Sequence, residues 1–382
     1  MRTPSTRAAL ALILAAALAA PGLTGCGALR GPAVRPAPLV EFKPTMNVRS
    51  VWRIGIGAAH GAALQPAVLE NAVYAAAADG TLLRVAPATG EVVWRIDTGA
   101  RLAAGVGADG FVVAVVTTRG ELLAFGADGK PLWRAQLTSD ALTAPLVGRG
   151  VVVVRSTDQR VSAFEIDSGK PRWSFARALP PLTLRTASDL TFVGDNVLVG
   201  LPGGRMVALA LASGAPRWEA VVAEPRGATE VERLADVMGV AVAGRDACAA
   251  AFQGRIVCVD GASGELRWAR EHAAGAGVAL DERHVYGVDD KGAVVALARD
   301  GGASVWRNEA LAHRQPSTPL VLPAAVLVGD GQGYVHLLRP DSGEFAARLG
   351  LDGAITVAPR AWAGGAIVQT QGGTLALLSV ER

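Results

Sequence analysis

The chain has 382 residues, of which 37 are Lys or Arg and 34 are Asp or Glu, and its formal net charge is +3. A charge this close to neutral excludes nucleic-acid binding driven by bulk electrostatic attraction. The roughly 337 residues that follow an N-terminal leader and linker are long for one globular core, a limit that a repeat architecture avoids by adding modules.

Residues 1–25 have the features of a secretory signal peptide. Arg2 and Arg7 give a positive start, and the apolar stretch over residues 8–20 is much shorter than the ~20 residues that a membrane span needs. The segment ends in Leu23-Thr24-Gly25-Cys26, which resembles the lipobox of bacterial lipoproteins. That resemblance implies cleavage before Cys26 and acylation of its thiol, whereas the alternative is an ordinary signal peptide with an incidental cysteine.

Residues 26–45 are expected to form a lipidated tether. Prolines are frequent in them and no apolar periodicity runs through them, which is typical of an extended linker. Gly27 follows the cysteine, whereas lipoproteins retained in the inner membrane mainly carry Asp there, so the resemblance implies an outer-membrane anchor facing the periplasm. Loss of Arg2 and Arg7 with the leader would bring the net charge close to +1.

Residues 46–382 contain a repeat in which a turn glycine precedes a tryptophan by four residues. The six tryptophans are Trp94, Trp133, Trp173, Trp218, Trp268 and Trp306. Their spacings of 39, 40, 45, 50 and 38 residues match four-stranded propeller blades and not helical arrays. A seventh copy has Ala347 in the tryptophan position, with Phe345 two residues earlier on the same strand face.

A second motif, a hairpin turn followed by an apolar strand, precedes each of these glycines. An eighth hairpin begins at Gly372 without a tryptophan strand after it, and Trp52 lies in a tryptophan strand without a hairpin before it. The two incomplete copies complete each other. The sequence therefore predicts an all-β, eight-bladed β-propeller of four-stranded antiparallel blades, closed by the N-terminal strand joining the C-terminal blade.

No residue pattern points to a catalytic, cofactor or metal site. Trp52 and the six repeat tryptophans could stack on a ligand, but one tryptophan per blade favours packing of blade on blade. No serine lies in a G-x-S-x-G motif, and the histidines fall at five different repeat positions with no pair at metal-ligand spacing. These histidines are His60, His272, His284, His313 and His336.

The repeat is similar to the pyrroloquinoline-quinone-type propeller repeat, which enzymes and non-enzymes share. Together with the lipobox and the tether, the whole chain resembles the BamB family, the propeller lipoproteins of the outer-membrane β-barrel assembly machinery. The resemblance implies a non-catalytic scaffold that binds the periplasmic domains of BamA and assists insertion of β-barrel proteins. Nascent outer-membrane proteins are further candidate partners, and nucleic acid is not.

Two other functions remain open at this stage. A quinone-dependent periplasmic dehydrogenase would resemble family members that hold quinone and calcium, use an Asp base and often carry a disulfide between adjacent cysteines. This chain has no adjacent cysteines, and its acidic residues lie mostly singly in turns. A propeller that senses a carbohydrate or peptide would need an aromatic-rich mouth, and the chain has only three Tyr and eight Phe.

Two intervals between tryptophans, those after Trp173 and Trp218, are longer than the others. The surplus lies in connections from an outer strand to the next inner strand, so both should project from one face and lie side by side. The first insertion carries Leu179, Leu182 and Leu184, and the second is rich in charge. Apolar residues on a long loop rimmed by charge predict a binding surface, whereas packing of each loop on its own blade is the alternative.

The resemblance to the BamB family assigns roles in these insertions. Residues 182–185 and 232–237 resemble two segments that contact BamA in that family, although Met238 departs from a pattern that often has a second Asp. The residues expected at the contact are Leu182, Leu184, Arg185, Arg233 and Asp236. Both leucines would be apolar anchors and Arg185 a hydrogen-bond donor, while Asp236 would contact the partner or orient Arg185.

Cys248 and Cys258 flank a hairpin turn. If that turn is a three-residue loop, 252–254, then Ala251 pairs with Arg255 and the two cysteines lie directly opposite each other, at bridging distance. A two-residue loop would put them on opposite faces and forbid the bond. For an oxidising periplasm we predict a structural disulfide, with two buried thiols as the alternative.

Overall fold

The computed structural model describes residues 34–185 and 188–381, and within them the chain forms strands and no helix. Thirty-two strands form eight four-stranded sheets in these ranges. It follows that no helix among the described residues has the length and apolarity to cross a bilayer. The signal segment, Cys26 and the tether up to residue 33 lie outside the described residues.

Each sheet is one blade. In blades 1–7 the chain order runs from the innermost strand to the outermost, and in blade 8 the outermost strand is β1, from the start of the propeller. The strands are β1 (Asn47–Gly55); in blade 1, β2 (Ala67–Val68), β3 (Val73–Ala76), β4 (Thr81–Val85) and β5 (Val92–Asp97); in blade 2, β6 (Gly107–Ala108), β7 (Val112–Val116), β8 (Glu121–Gly126) and β9 (Pro131–Gln136); in blade 3, β10 (Leu146–Gly148), β11 (Val151–Arg155), β12 (Val161–Glu165) and β13 (Pro171–Phe175); in blade 4, β14 (Thr191–Val193), β15 (Asn196–Leu201), β16 (Arg205–Ala210) and β17 (Pro216–Val221); in blade 5, β18 (Val237–Ala243), β19 (Asp246–Ala251), β20 (Gly254–Asp260) and β21 (Leu266–His272); in blade 6, β22 (Ala274–Leu280), β23 (His284–Asp289), β24 (Val294–Ala298) and β25 (Ser304–Asn308); in blade 7, β26 (Leu320–Val321), β27 (Val326–Gly329), β28 (Tyr334–Leu338) and β29 (Phe345–Gly350); and in blade 8, β30 (Arg360–Trp362), β31 (Gly365–Gln369) and β32 (Thr374–Glu381).

The eight-bladed all-β propeller predicted from the repeat is confirmed, and so is its closure. Blade 8 takes three strands from the C-terminal end of the chain and its fourth, β1, from the N-terminal end. The pairing of β1 with β32 is antiparallel, with Trp52 opposite Leu377 and Asn47 opposite Glu381. The two incomplete repeats of the sequence therefore form one blade.

The middle strands of the blades form the core. β7 and β11 are buried along their whole length, because neighbouring blades cover both faces of each sheet. Valine dominates these two strands, as expected for β-branched side chains on a pleated surface covered from both sides. The outer strand β5 instead alternates half-buried and exposed residues over most of its length, so its polar side chains face solvent.

Seven tryptophans on outer strands lock each blade to the next. Each indole Nε1–H donates to a backbone carbonyl in the outer turn of the following blade. The pairs are Trp52 with Pro87, Trp94 with Ala127, Trp133 with Ile166, Trp173 with Leu211, Trp218 with Gly261, Trp268 with Arg299 and Trp306 with Pro340. The same turn contains the repeat glycine, and a Cβ at Gly169 would lie 2.4 Å from the ring of Trp133. The glycine thus makes room for the tryptophan of the preceding blade.

The seam between blades 7 and 8 is built differently. Ala347 occupies the tryptophan position of β29 and is buried. Blade 8 offers no outer turn to an indole, because its third and fourth strands come from opposite ends of the chain. β32 and β1 instead pair as far as Glu381 and Asn47, and Val48 joins the core that contains Ala346 and Ala347. Small side chains on β29 leave space for this extension.

Successive strands of a blade alternate in direction, so two kinds of connection emerge on one face. These are the turns between the second and third strands and the connections from an outer strand to the next inner strand. The two long connections are residues 176–190, between β13 and β14, and residues 222–236, between β17 and β18. We call them the first and second long loops, and the side from which they emerge the loop face.

Candidate functional site

The two long loops lie side by side and are tied together by one buried carboxylate. The carboxylate of Asp236, at the end of the second loop, accepts the backbone N–H of Leu184 in the first loop. It also accepts the backbone N–H of Gly203, at 3.3 Å, from the turn between β15 and β16. Asp236 is only 2% exposed, so this tie is closed off from solvent.

A buried arginine, Arg155, lies close enough to this carboxylate for its charge to act on it. Burial raises the pKa of Asp236, while the two N–H donors and the charge of Arg155 act against that rise. Burial also lowers the pKa of Arg155 to about 10, opposed by the charges of Asp236 and Asp189. Arg155 donates to the carbonyl of Gly200 as well. Opposite charges of this kind hold a polar interior together, so the base of the loops is fixed in position.

The structure corrects the role expected for Asp236. A carboxylate that is 2% exposed is not available to a partner protein, and its hydrogen bonds go to backbone N–H groups and not to Arg185. Arg185 lies near Asp140 instead, with 3.7 Å between Nη2 and Oδ2. Sequence proximity to a similar family segment could not show which of these charges turns inward. Asp236 therefore positions the first loop.

The first long loop presents apolar side chains next to a charge. Leu179 is 44% exposed and Leu182 is 41% exposed, whereas Leu184 is half-buried. The Arg185 side chain is 69% exposed, so the ion pair with Asp140 contributes little to stability and leaves the guanidinium accessible. These four side chains are described, whereas residues 186–187 of the same loop are not.

The second long loop contains a helix-like turn that was not predicted from the sequence. The Glu232 carboxylate accepts the backbone N–H of Thr229 at 3.0 Å, and the Thr229 hydroxyl accepts the N–H of Glu232 at 3.2 Å. This is the reciprocal arrangement of a capping box, and the Thr-x-x-Glu spacing in the sequence was the available signal. Those hydrogen bonds hold the pKa of Glu232 below its usual value.

Arg233 and Val231 lie on the outside of this turn. Arg233 donates from Nε to the Gly227 carbonyl at 3.0 Å and pairs with Glu230 at 3.2 Å, so its guanidinium is engaged within its own loop. Val231 is exposed and was not singled out from the sequence. The second loop therefore offers a folded, charged rim with one apolar side chain.

The propeller axis contains a small cavity, and one of its lining residues, Asp189, forms an ion pair with Arg360. The cavity volume is about 100 Å³, and inner-strand residues such as Met238 and Val278 line it. Arg360, in blade 8, donates to Asp189, at the end of the first long loop, at 3.2 Å. Sites for small molecules usually measure ~300–1,000 Å³. Among the described residues, no group of three or more His, Cys, Asp or Glu side chains is placed to hold a metal ion.

Cys248 and Cys258 lie opposite each other on β19 and β20, as the three-residue-loop register required. Their Cα atoms are 4.1 Å apart and the sulfurs are bonded. Both residues are buried in the core of blade 5, and Trp268 of β21 pairs with Cys258. The bond therefore joins the two middle strands of the blade that follows the second long loop.

Comparisons with known proteins identify the family. The family model described as "Outer membrane protein assembly factor BamB" matches residues 78–308. A BamB from Bordetella pertussis is 42% identical over 90% of this chain and 90% of its own length, and one from Burkholderia pseudomallei is 41% identical over 88% and 90%.

Solved structures agree with that assignment. The crystal structure of BamB from Moraxella catarrhalis superposes with a TM-score of 0.80 at 26% identity, covering 87% of this chain and all of that one. A quinohemoprotein alcohol dehydrogenase from Comamonas testosteroni reaches a TM-score of 0.68 at 14% identity, over 87% of this chain and 76% of its own, and shares only the propeller fold. The chain belongs to the BamB family of outer-membrane protein assembly factors.

Proposed function

We propose that this protein is a non-catalytic scaffold of the outer-membrane protein assembly complex that binds the periplasmic domains of BamA. The family to which the chain belongs supports the process, because its relatives are named as assembly factors. The observation that carries the contact is the Asp236 tie, which holds the two long loops together with Leu182 exposed between charged groups. Insertion of β-barrel proteins is the step that such a scaffold would assist.

The geometry of the loops suits protein recognition better than small-molecule binding. Leu182 and Leu184 would bury apolar area, and Arg185 would exchange its long contact with Asp140 for a carboxylate of the partner. Because the Asp236 tie fixes the backbone at Leu184, little conformational entropy is lost on binding. Arg233 and Val231 lie on the neighbouring rim and would make peripheral contacts.

Capture of purified BamA periplasmic domains tests this contact. The triple variant Leu182→Ala, Leu184→Ala, Arg185→Ala is expected to weaken binding at least about tenfold, because it removes two apolar anchors and a charge. A matched control, Leu132→Ala, Leu266→Ala, Arg119→Ala, removes two exposed leucines and an exposed arginine from other blades and should bind normally. Undiminished capture by a triple variant with an unchanged melting temperature would place the interface elsewhere.

We also propose that the protein is held at the outer membrane, facing the periplasm, by a lipid on Cys26. The lipobox-like end of the leader supports this anchor. A Cys26→Ala variant should keep its propeller folded and move to the soluble periplasmic fraction in cells that lack BamA. Full retention of that variant in the outer-membrane fraction of such cells would contradict the anchor.

Catalysis by a bound quinone is not part of the proposal. The axial cavity of about 100 Å³ is small for a tricyclic quinone, and its carboxylate Asp189 is already paired with Arg360. Titration of the purified protein with quinone and calcium is expected to give no stoichiometric binding. Saturable one-to-one binding would reopen the dehydrogenase alternative, and saturable binding of a sugar or peptide at the mouth would favour a sensing role.

A further inference from the structure

Residues 37–46, which we call the N-terminal strap, lie against blade 7 without forming a strand. Their backbone is hydrogen-bonded to the propeller at both ends. The N–H of Ala37 donates to the carbonyl of Ala312 at 2.9 Å, and the N–H groups of Thr45 and Met46 donate to the carbonyl of Ala346 at 2.9 and 3.1 Å. The segment that composition assigns to the tether is therefore attached to the ring from residue 37 onward.

Two arginines hold the strap. Arg314 lies in the connection that precedes blade 7, and Arg348 lies on β29 of blade 7. Arg314 donates from Nη1 to the Ala37 carbonyl at 2.9 Å, and Arg348 donates from Nη1 to the Val40 carbonyl at 3.0 Å. The Arg348 guanidinium also lies 4.9 Å from the ring centre of Phe42 and 5.1 Å from that of Phe345. These cation–π contacts add to the hydrogen bond by which Arg348 holds the strap.

A buried pair of side chains, His336 and Asp330, accepts the Nε–H groups of both arginines and so orients them. Asp330 accepts from Arg314 Nε at 2.6 Å and from His336 Nε2 at 2.9 Å. His336 Nδ1 accepts from Arg348 Nε at 3.2 Å, so the neutral ring carries its proton on Nε2. Burying a carboxylate, an imidazole and an arginine costs free energy, and here these groups satisfy one another while each arginine keeps one Nη1–H donor for a strap carbonyl.

The C-terminal end of the strap lies at the seam that has no tryptophan. Met46 packs against the core that contains Ala347, whereas Phe42 contacts Phe345, which packs against the core between blades 6 and 7, with 5.5 Å between ring centres. All seven other seams are closed by an indole on a turn glycine, whereas this one is closed by the β32–β1 extension and Met46.

We propose that the N-terminal strap is a clamp that crosses the outer strand of blade 7, from the connection that precedes this blade to the seam with blade 8, and fixes the chain at Ala37, with Arg314 and Arg348 as the residues that hold it. Ala312 lies in the connection from β25 to β26, which is on the loop face. Ala37, where the strap begins, therefore lies on the same face as the two long loops. If Cys26 is lipidated, as proposed above, the eleven residues to Ala37 limit its distance from that face to about 40 Å.

Hydrogen exchange of the full mature chain, followed by mass spectrometry, tests the clamp. In the wild type, the amides of Ala37, Thr45 and Met46, which donate to the propeller backbone, should exchange at least about tenfold more slowly than in an unstructured peptide of the same sequence. The double variant Phe42→Ala, Arg348→Ala should remove that protection and leave blades 1–6 unchanged. Arg270→Ala is the matched control, because Arg270 donates to the Gly302 carbonyl across another seam and does not touch the strap.

Unprotected amides at Ala37, Thr45 and Met46 in the wild type would overturn the clamp, and so would unchanged protection of these amides in the double variant. If the double variant does not fold, Phe42→Ala alone, a half-buried side chain outside the strands, replaces it with the same expected loss. The readout involves neither BamA nor the lipid. Failure of BamA capture with a protected strap would therefore count against the proposed function alone.

Discussion

The glycine of each outer turn and the tryptophan of the preceding blade form one unit, although they belong to different repeats. The glycine is needed for two separate reasons. Gly343 has φ of +71°, which favours glycine, and a Cβ there would lie 2.4 Å from the ring of Trp306. The sequence shows the two residues as a spacing of four within one repeat, but the physical contact joins neighbouring repeats.

A comparison of two glycine variants separates these reasons. Gly364 has φ of +78°, and no atom lies within 4 Å of the point that a Cβ would occupy, so Gly364→Ala should cost about 1 kcal/mol from backbone strain alone. Gly343→Ala should cost about 1–3 kcal/mol more, because Trp306 must also move. Chemical denaturation of both variants measures the difference, and equal losses would show that the tryptophan does not depend on the glycine.

His336 gives the clamp a dependence on pH. Burial lowers the pKa of His336, the charges of Arg348 and Arg314 act in the same direction, and only Asp330 opposes them. Tyr334 and Phe345 are the remaining side chains in ring contact with it. The folded state therefore keeps the imidazole neutral at a pH where the unfolded chain, with a pKa near ~6.5, already binds a proton.

Stability should consequently fall as the pH drops below about 6.5 toward the lowered pKa of His336. Burial also lowers the pKa of His272, which contributes with the same sign, so the comparison requires a variant. Denaturation midpoints of the wild type and His336→Gln, measured from pH 7.5 to 5, should show a shallower decline in the variant. Parallel declines would mean that His336 is not neutral in the folded protein.

At this scale the sequence predicted residue types better than residue roles. Leu182 and Arg185 are exposed on the first long loop, where a contact surface requires them, and their role in binding stays a prediction. Asp236 was expected, from the resemblance to a family segment, either to contact the partner or to orient Arg185. Its actual partners are backbone N–H groups of Leu184 and Gly203, and no spacing rule encodes such long-range backbone contacts.

At the scale of elements, the β19–β20 hairpin shows how register decides chemistry. The three-residue alternative placed Cys248 opposite Cys258, and the structure has that register. A shift by one residue would have turned one sulfur to the other face of the blade. Sequence alone left both turn lengths open, because Phe252, Gln253 and Gly254 suit either. Gln253 adopts a positive φ of 48°, a local detail that tertiary packing selects.

The disulfide should stabilise the protein by about 2–3 kcal/mol, the value expected for closing a loop of this length. The variant Cys248→Ala, Cys258→Ala should therefore unfold at lower denaturant, with little change in the folded state because both residues are buried. Thiol labelling of the unfolded, unreduced Cys26→Ala protein should detect no free sulfur. Two labelled cysteines in that experiment would reject the bond.

The long loops illustrate what element-level reasoning can and cannot supply. Counting from Trp173 to Trp218 and from Trp218 to Trp268 located both insertions and the face from which they emerge. The turn capped by Thr229 and Glu232 inside the second loop has a sequence signal, the Thr-x-x-Glu spacing, that was not used to predict it. The strap could not be inferred from the composition of the tether, because its attachment depends on Arg348, more than 300 residues away in the chain.

At the scale of the whole molecule, the ring is continuous in the chain everywhere except in blade 8. Seven blades fold from consecutive residues, so their outer strands are connected at both ends to neighbouring strands. β1 is joined to blade 8 only by its pairing with β32, and to blade 1 by the Trp52 indole on Gly90 and by the chain that continues to β2. This blade should therefore be where the ring opens first.

Replacement of equivalent tryptophans tests this view of ring opening. Trp52 and Trp94 are both half-buried and donate to the next blade at 2.8 and 2.9 Å, so Trp52→Ala and Trp94→Ala should each cost about 2–4 kcal/mol.

Their hydrogen-exchange patterns should nevertheless differ. In Trp52→Ala, faster exchange should be confined to β1, β32 and the strap, because β1 can leave without opening another blade. In Trp94→Ala, the chain connects β5 to other strands at both ends, so β5 cannot leave the ring by itself. Amide protection should then fall together across the blades, through opening of the whole ring. Mass spectrometry of peptides from all eight blades measures this distribution. The same pattern in both variants would mean that the closing strand is held as firmly as any other, and that the strap and the β32–β1 extension fully replace the missing turn.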